Sequence, residues 1–582
     1  MSTLPARTSA VSPLSAVQSA SNLIGWRGWA LVLVITIGLR LIVMVSGTVS
    51  FHSDEAVVGL MAHHINQGLP IPVFFYGQAY LGSLDALLVA LGFRIFGESV
   101  LTIRIVQSIL YVLIVLSTVY LTRRLSGRAW AAVAAGLLLA VPPVLMTLYT
   151  SMTLGGYSET LLLGNAVILI GWELANDFPA AANQRDRRYW LIRRWALLGL
   201  IAGLGWWTDA LIMGYLLPVT LYLIWRLFIP QWRTVWRFWP WITLAAVCFV
   251  IGSAPWWGYN LAHQWDALRF LIDGAAHGNG IELNVFQRAV NLLILGLPTV
   301  FGLRFPWAGL PWAGAAAGVV LTVYVGLLIL AMARSRPPGD NPRRADSEIR
   351  RALRYGLLLI SGPPVLFVLS AFGVDVSGRY LLPMVPLLAL LTGITAESIG
   401  GPRRRHAPGR LLVAGLLIFA LLGTITAMTT IPPGITPQFD PANDVPNTSD
   451  QALIDFLLAH GGTRGYGTYW VTFRIAFLSQ ERIILDAWLP NKRSFIYNPV
   501  DRRYPPYTAL VEAAARRVYV TANLPLLDAI IAERLGAHAV TFQRQAIGPY
   551  TVFYDLSAPV TPDDLGLDTL PNPAEVPILP TF

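Results

Sequence analysis

Two adjacent carboxylates follow the first long apolar run of the chain, in the segment Phe51-His52-Ser53-Asp54-Glu55-Ala56. Acidic side chains at the start of a helix lie near its positive end, which favours their ionised form. The structural alternative is that Ser53 or Asp54 only caps the helix. A metal site of His52, Asp54, His63 and His64 is a further alternative, but neighbouring histidines point in different directions on a helix. We therefore predict a site without a metal.

Other ionisable residues lie at the same edge of the apolar runs as this pair. An ionisable group in a bilayer costs about 2.5–3.5 kcal/mol on insertion scales, so each one is a functional candidate. A proton or ion path would also need carboxylates through the middle of the membrane, where this chain has almost none. The pattern predicts a reaction site on one face of the membrane. The residues are Arg40, Asp54, Glu55, Asp85, Arg94, Arg104, Glu159, Asp209, Asp375 and Arg379.

The amino-acid composition indicates that these candidate residues belong to a membrane protein. Of the 582 residues, 55% are hydrophobic and only 13% are charged, about half the charged share of a soluble protein. The high aromatic content, 11%, excludes a disordered chain. The single cysteine, Cys248, excludes an internal disulfide framework and argues against a cysteine metal site. We predict an α-helical polytopic membrane protein.

Eleven apolar runs are long enough, or nearly so, to be read as transmembrane helices. Two of them, 195–208 and 210–226, form one longer run broken at Trp206-Trp207-Thr208-Asp209. The predicted spans are 28–47, 101–122, 129–148, 158–176, 195–208, 210–226, 238–254, 311–332, 355–372, 380–398 and 411–429.

Arginines assign the two sides of the membrane. They cluster in alternate loops, whereas the opposite loops near 149–157 and 372–379 contain only Arg379. By the positive-inside rule the arginine-rich side is cytoplasmic, which predicts a multi-pass plasma-membrane protein with a cytoplasmic N-terminus and an extracytoplasmic C-terminus. The net charge of +10 then reports orientation, and nucleic acid is not needed to explain it.

The runs and the composition between them divide the chain into five regions. Residues 1–27 form a cytoplasmic tail, and 28–430 form the membrane domain, whose outer loop 48–100 contains two amphipathic stretches expected to lie in the interface. A proline-rich linker, 431–449, leads to a small α/β domain at 450–560 with alternating helix and strand patterns. A proline-rich tail, 561–582, ends the chain.

The order of several motifs resembles a known family. An arginine-bearing first helix precedes the Ser-Asp-Glu-Ala start of a long outer loop, as in the GT-C superfamily of integral membrane glycosyltransferases. More narrowly, it is similar to the branch that contains protein O-mannosyltransferases and the lipid A aminoarabinose transferase. Further matching segments are Gly77–Ser83, Phe96–Ser99 with Arg104, Arg123–Ala132 before Pro142-Pro143, and Gly378–Pro383.

The resemblance implies a polyprenyl-phosphate-linked sugar as donor, used on the outer face without a nucleotide sugar. We expect a hexosyl or pentosyl transferase with a lipid, glycan or protein acceptor, and the sequence indicates no cofactor. Our mechanistic hypothesis gives Asp54 the role of general base and Glu55 that of orienting the acceptor or holding Asp54. Arg379 with Tyr380 is the first candidate for binding the donor phosphate, followed by Arg94 and Arg104.

Further substrate-binding candidates are Gln78, Tyr80, Glu159 and Asp209. Relatives often carry Lys or Arg near Gln78 and Thr-Lys in place of Thr208-Asp209, so the phosphate-binding set of this chain differs from theirs. Its single lysine, Lys492, lies far along the sequence.

Other interpretations remain open at this point. A transporter or lipid-linked sugar flippase also suits about eleven spans, but it predicts internal repeats that the sequence does not contain. An assembly subunit and an oligosaccharide ligase are further alternatives. The segment Gly465–Trp470 with Arg474 either helps to bind a sugar or is only a structural unit.

Overall fold

The computed structural model describes residues 26–181, 187–230, 238–274, 283–336, 344–399, 407–429, 434–438, 443–490, 495 and 497–570. The predicted cytoplasmic tail up to residue 25, residues 431–433 and 439–442 of the proline-rich linker, and the last part of the tail, 571–582, lie outside the described residues. Within the described residues the chain forms a helical bundle followed by a small C-terminal domain with one sheet.

The described part of the bundle and its loops consists of helices and one short hairpin. The first half comprises α1 (Trp26–Val45), α2 (Ser53–Asn66), β1 (Phe74–Phe75), β2 (Gln78–Gly82), α3 (Leu84–Phe96), α4 (Val100–Ser126), α5 (Ala129–Ala140), α6 (Val144–Ser151), α7 (Tyr157–Ala181) and α8 (Arg188–Thr208). The second half comprises α9 (Ala210–Phe228), α10 (Trp239–Gly252), α11 (Ala254–Ala262), α12 (Asp266–Arg269), α13 (Val285–Val300), α14 (Ala315–Ser335), α15 (Arg344–Leu369), α16 (Met384–Ser398) and α17 (Ala407–Thr429).

By length and composition, seven of the described helices are able to cross a membrane, or nine if each of two bent pairs is one span. The predicted count of eleven is therefore not confirmed. The two remaining predicted spans, 195–208 and 380–398, correspond to α8 and to α16, which has only 15 residues. The seven are α1, α4, α7, α9, α14, α15 and α17.

The bent pairs differ from the straight spans predicted for them. The run 129–148 bends by 69° between α5 and α6, where Pro142 and Pro143 stand. Proline lacks a backbone N–H and disfavours helical geometry in the residue before it, so a helix ends there. The second pair, α10 and α11, bends by 68° next to Pro255 and extends beyond the predicted end at residue 254.

The two ends of the bundle differ in charge. At one end Arg194 and Arg124 approach Glu173 of α7, at 2.9 and 3.9 Å, and Arg351 donates to Asn176. Three arginine-bearing loops therefore meet at one end, as the span order predicts. Because helices rise 1.5 Å per residue, the start of α7 lies about 24 Å from Glu173, at the opposite end.

The C-terminal domain is built on a five-stranded sheet of order β4-β3-β5-β7-β6. β3 is parallel to β4 and to β5, whereas β7 is antiparallel to β5 and β6, so the predicted α/β pattern and terminal hairpin are present. Its elements are α18 (Asp450–Ala459), β3 (Arg464–Thr468), α19 (Tyr469–Leu478), β4 (Ile484–Leu489), α20 (Pro505–Glu512), β5 (Val518–Ala522), α21 (Pro525–Ala537), β6 (Gln543–Ile547) and β7 (Tyr550–Tyr554).

This domain shares a hydrophobic core with the outer loop of the bundle. Phe473 and Phe477 of α19 are buried in one cluster with Val57 and Met61 of α2. The two helices are so close that a Cβ on Gly59 would lie 2.7 Å from the ring of Phe477. α2 is therefore buried on nearly all sides beneath the C-terminal domain, and the amphipathic pattern of its sequence does not mark a surface helix.

The domain continues to residue 570. Leu565 and Leu567 are buried in the same core, so the segment 561–570, which the sequence assigns to the tail, is packed against the domain.

A buried arginine ties the two parts together. Arg474 is 2% exposed, and its guanidinium group donates to the carbonyl oxygens of Phe51 and Val445, at 3.3 and 2.8 Å. It also forms an ion pair with Asp450 at 3.0 Å and a hydrogen bond with Tyr550. Because Phe51 lies two residues before α2, this network fixes the start of α2 against the domain.

Replacing Arg474 by Met should destabilise this contact, because it leaves Asp450 buried without its cation. Removal of one partner of a buried ion pair costs about 3–5 kcal/mol. We expect a clearly lower thermal unfolding midpoint in detergent and faster proteolysis of the 431–449 linker. Arg482→Met, at an exposed position of the same domain, is the control and should change neither. Equal midpoints for the two variants would contradict the assigned role.

Candidate active site

Asp54 lies in the first turn of α2, and the preceding histidine caps this helix. The ring of His52 accepts a hydrogen bond from the backbone N–H of Asp54 at 3.2 Å. Burial lowers the pKa of His52 to about 4, so the ring is neutral and able to accept. The cap predicted at Ser53 or Asp54 is therefore provided by His52, while the Ser53 hydroxyl donates to the carbonyl of Tyr469 at 2.5 Å.

The carboxylate of Asp54 has two partners from the C-terminal domain. The hydroxyl of Tyr469 donates a hydrogen bond to Oδ1, and Nη2 of Arg503 lies 3.6 Å from the same oxygen. Burial raises the pKa of Tyr469 well above its usual value, so the phenol keeps its proton. The Asp54 side chain remains 31% exposed, and it borders a cavity. One carboxylate is thus oriented by neighbours and still open to a ligand.

The cavity has a volume of about 1630 Å³ and lies at the end of the bundle opposite the paired arginines. Asp375, from the wider set of ionisable residues, also borders it. The predicted site residues that it brings together are Asp54, Gln78, Tyr80, Asp209, Arg379 and Tyr380.

Strand β2 brings Gln78 and Tyr80 to the cavity, because its backbone packs closely against the backbone at the end of α8. Leu81 pairs with Asp209 in an isolated bridge, and a Cβ on Gly82 would collide with the carbonyl oxygen of Trp207. Only glycine fits at this position. The ring of Tyr80 stacks on Phe270 at a centroid distance of 4.9 Å.

Arg379 is held at the cavity wall by a local loop. Gly378, with φ +80°, turns the chain into the short helix Arg379–Leu381. Nη2 of Arg379 lies 2.7 Å from Oδ2 of Asp375, and its guanidinium group lies over the ring of Tyr380 at 5.0 Å. Nε is buried without a hydrogen-bond partner among the described residues. The loop thus presents a fixed cation with an unused donor.

Comparison with known proteins finds one family model and several solved structures that are similar to this chain. A family model described as dolichyl-phosphate-mannose-protein mannosyltransferase matches residues 84–258. No curated protein sequence gives a significant match. The fold is similar to two crystal structures of ArnT from Cupriavidus metallidurans. The structure in the apo state has a TM-score of 0.55 and 14% sequence identity, and the match covers 91% of this chain and 98% of that chain. The structure bound to undecaprenyl phosphate has a TM-score of 0.51 and 15% sequence identity, and the match covers 91% of this chain and 99% of that chain. The chain therefore shares the fold of these two structures over most of its length.

Four of the predicted site residues lie away from the cavity. Glu55 is fully buried and forms a bidentate ion pair with Arg104, with both N–O distances 3.3 Å. Arg94 is exposed and donates to Asn66 at 2.7 Å. Glu159 is buried and does not border the cavity. Direct contact with a ligand in the cavity is therefore available to Asp54 and Arg379 but not to these four.

Two further charged candidates hold elements of the bundle together. Arg40 donates to Ser151 and Thr150 at the end of α6, at 2.7 and 2.5 Å. Asp85, at the start of α3, is buried and accepts a hydrogen bond from Thr153 at 3.0 Å. Arg40 therefore joins the first helix to the end of α6, and Asp85 joins the outer loop to the segment after α6.

The two histidines near the end of α2 lie next to acidic side chains. His63 lies 2.7 Å from Glu98 and 3.3 Å from Glu481, and His64 lies 2.9 Å from Glu481. In the described ranges no three His, Cys, Asp or Glu side chains are grouped as metal ligands.

The sequence predicts only part of the contribution that the C-terminal domain makes to this site. Tyr469, Trp470, Asp501 and Arg503 border the cavity. Tyr469 and Trp470 belong to the candidate sugar-binding segment Gly465–Trp470, whereas no motif in the sequence marks Asp501 or Arg503. One feature of the sequence does point toward a residue such as Arg503. Relatives often carry Lys or Arg near the position of Gln78, so a cation from elsewhere in this chain is expected there.

The two adjacent carboxylates should respond differently to neutralisation. Glu55→Gln removes the buried charge that pairs with Arg104, so we expect a loss of stability of about 3–5 kcal/mol. Asp54→Asn should lower the thermal unfolding midpoint by less, because the Asp54 side chain is 31% exposed and the amide oxygen of Asn still accepts the hydrogen bond from Tyr469. Both variants are compared with the unaltered protein in the same nanodiscs. A larger loss for Asp54→Asn than for Glu55→Gln would contradict the assigned environments.

Proposed function

We propose that this protein transfers a sugar from a polyprenyl-phosphate donor to an acceptor hydroxyl, with inversion at the anomeric carbon and Asp54 as the general base. The observation that carries the proposal is the presence of Asp54 and Arg379 on one cavity that also has a long apolar wall. A carboxylate suits deprotonation of the acceptor, and a guanidinium group suits a phosphate.

The apolar wall supports a lipid-linked donor. It is formed where α9, α13 and α15 meet, and the cavity volume exceeds the roughly 300–1000 Å³ of common small-molecule sites. The similar ArnT protein has been crystallised bound to undecaprenyl phosphate. We infer that isoprenoid units lie along this wall while the sugar phosphate extends toward Arg379. The apolar residues are Leu211, Met213, Ile294, Leu295, Pro363, Leu366 and Phe367.

The chemistry requires one base and one charge stabiliser. The acceptor oxygen forms a bond to the anomeric carbon as its proton passes to Asp54, and the bond from that carbon to the phosphate oxygen breaks. The electron pair leaves with the polyprenyl phosphate, which is a good leaving group without a general acid. Arg379 stabilises the charge that develops on the phosphate. Attack on the face opposite the leaving group inverts the configuration.

The orientation follows from the same proposal. Because the cavity lies opposite the arginine-rich end, the positive-inside rule assigns the reaction to the extracytoplasmic face of the plasma membrane.

Cysteine labelling tests this orientation, since Cys248 is the only cysteine of the chain. In a Cys248→Ser background, Leu526→Cys on the C-terminal domain should react with a membrane-impermeant maleimide in intact cells. Arg336→Cys, at the arginine-rich end, should react only after permeabilisation. The reverse pattern would contradict the assigned orientation.

Asp54→Asn should reduce turnover by at least about two orders of magnitude, because general-base catalysis contributes about 10²–10⁴ in rate. Purified protein is incubated with a panel of polyprenyl-phosphate sugars and an acceptor extract, and release of polyprenyl phosphate is measured. Arg94→Gln, at an exposed position remote from the cavity, is the control and should retain full turnover. Near-normal turnover of Asp54→Asn would exclude it as the base.

The same assay separates the transferase from a flippase. A transferase releases polyprenyl phosphate and yields a glycosylated product. Absence of release with every donor, together with movement of the intact donor across vesicle membranes, would contradict the proposed function.

A further inference from the structure

Arg503 of the C-terminal domain is a buried cation with unused hydrogen-bond donors. Its side chain is 8% exposed and borders the cavity. Nε and Nη1 are buried and have no hydrogen-bond partner among the described residues. Its contact with Asp54, at 3.6 Å, involves only Nη2 and is longer than a hydrogen bond. Buried charged donors without partners are costly, so this arrangement favours an anionic ligand.

The position of Arg503 is built by several elements. Its guanidinium carbon lies 5.3 Å from the ring centre of Phe75 and 4.8 Å from that of Tyr469, one ring from the outer hairpin and one from the domain. A Cβ on Gly77, which has φ +71°, would lie 3.1 Å from the Cα of Arg503. The turn of the β1–β2 hairpin therefore rests directly on the backbone of Arg503, and Gln78 beside it brings an amide but no charge.

Arg503 and Arg379 border the same cavity, together with Tyr80, Asp54 and Asp209. Arg379 is paired with Asp375 and has one buried donor, Nε, without a partner in the described part of the chain. Two cations, with three such nitrogen donors between them, thus border the cavity that contains the proposed base, and Arg503 lies 3.6 Å from it.

We propose that Arg503 binds the phosphate of the donor together with Arg379, so that the C-terminal domain completes the donor site of the membrane bundle. The inference rests on the proposed function. Guanidinium groups match phosphate oxygens with charge and directed hydrogen bonds, and two of them distribute the charge of one phosphate. Arg503 is therefore a binding residue for the leaving group, supplied by the C-terminal domain rather than by the membrane helices.

Equilibrium binding tests this inference without requiring turnover. Full-length protein in nanodiscs is titrated with undecaprenyl phosphate and, separately, with undecaprenol, which has no phosphate. Arg503→Gln should weaken binding of undecaprenyl phosphate by about 10- to 100-fold, as expected for lost hydrogen bonds to a charged group. Binding of undecaprenol should be unchanged, which also shows that the variant is folded. Arg503→Lys should be intermediate, because it keeps the charge and loses the planar donors.

The neighbouring arginine provides a matched control. Arg502 pairs with Asp486 at 2.8 Å and lies over Trp488, and it does not border the cavity. Arg502→Gln should lower the unfolding midpoint and leave the affinity for undecaprenyl phosphate within about two-fold.

The outcomes separate this inference from the proposed function. Normal phosphate binding by Arg503→Gln together with weak binding by Arg379→Gln would overturn the role of Arg503 and leave the proposed function intact. Equal loss of undecaprenol and undecaprenyl phosphate binding in Arg503→Gln would also overturn it, because the residue would then be structural. Failure of the unaltered protein to bind undecaprenyl phosphate would instead count against the proposed function.

Discussion

The contact between the start of α2 and the C-terminal domain determines the geometry of the whole candidate site. Asp54 belongs to the bundle, whereas its two partners, Tyr469 and Arg503, belong to the domain. A carboxylate at this position would be free to rotate without them. Because Arg474 and the shared core fix the domain on α2, the site is complete only when both parts are assembled.

The membrane imposes a second constraint, which explains the division of the cavity. A lipid-linked ligand needs an apolar wall, and its phosphate and sugar need charged and polar groups. Helices supply the first at membrane depth, because their backbone groups are satisfied internally. Loops and the C-terminal domain supply the second beyond the helix ends, where charged side chains cost less. The cavity lies where these two environments meet.

The sequence predicted those features that depend on local composition. Apolar run length located most helices, and the scarcity of charged residues led to Asp54 and Arg379. Proline positions were visible, but the bend between α5 and α6 depends on how the helices pack. The partners of Asp54 were not predictable, because 415 residues separate it from Tyr469 and only tertiary docking brings them together. The sequence also does not distinguish Glu55 from Asp54, because both are adjacent carboxylates at the start of one helix. Only the structure shows that the side chain of Glu55 faces Arg104 instead of the cavity.

A cryo-electron microscopy structure of the full chain with undecaprenyl phosphate in nanodiscs tests the proposed donor site most directly. We expect the phosphate within hydrogen-bond distance of Arg379 and Arg503, next to Asp54, with the isoprenoid chain against α9, α13 and α15. A phosphate bound at the arginine-rich end of the bundle, or a cavity that stays empty at saturating ligand, would contradict the proposed donor site.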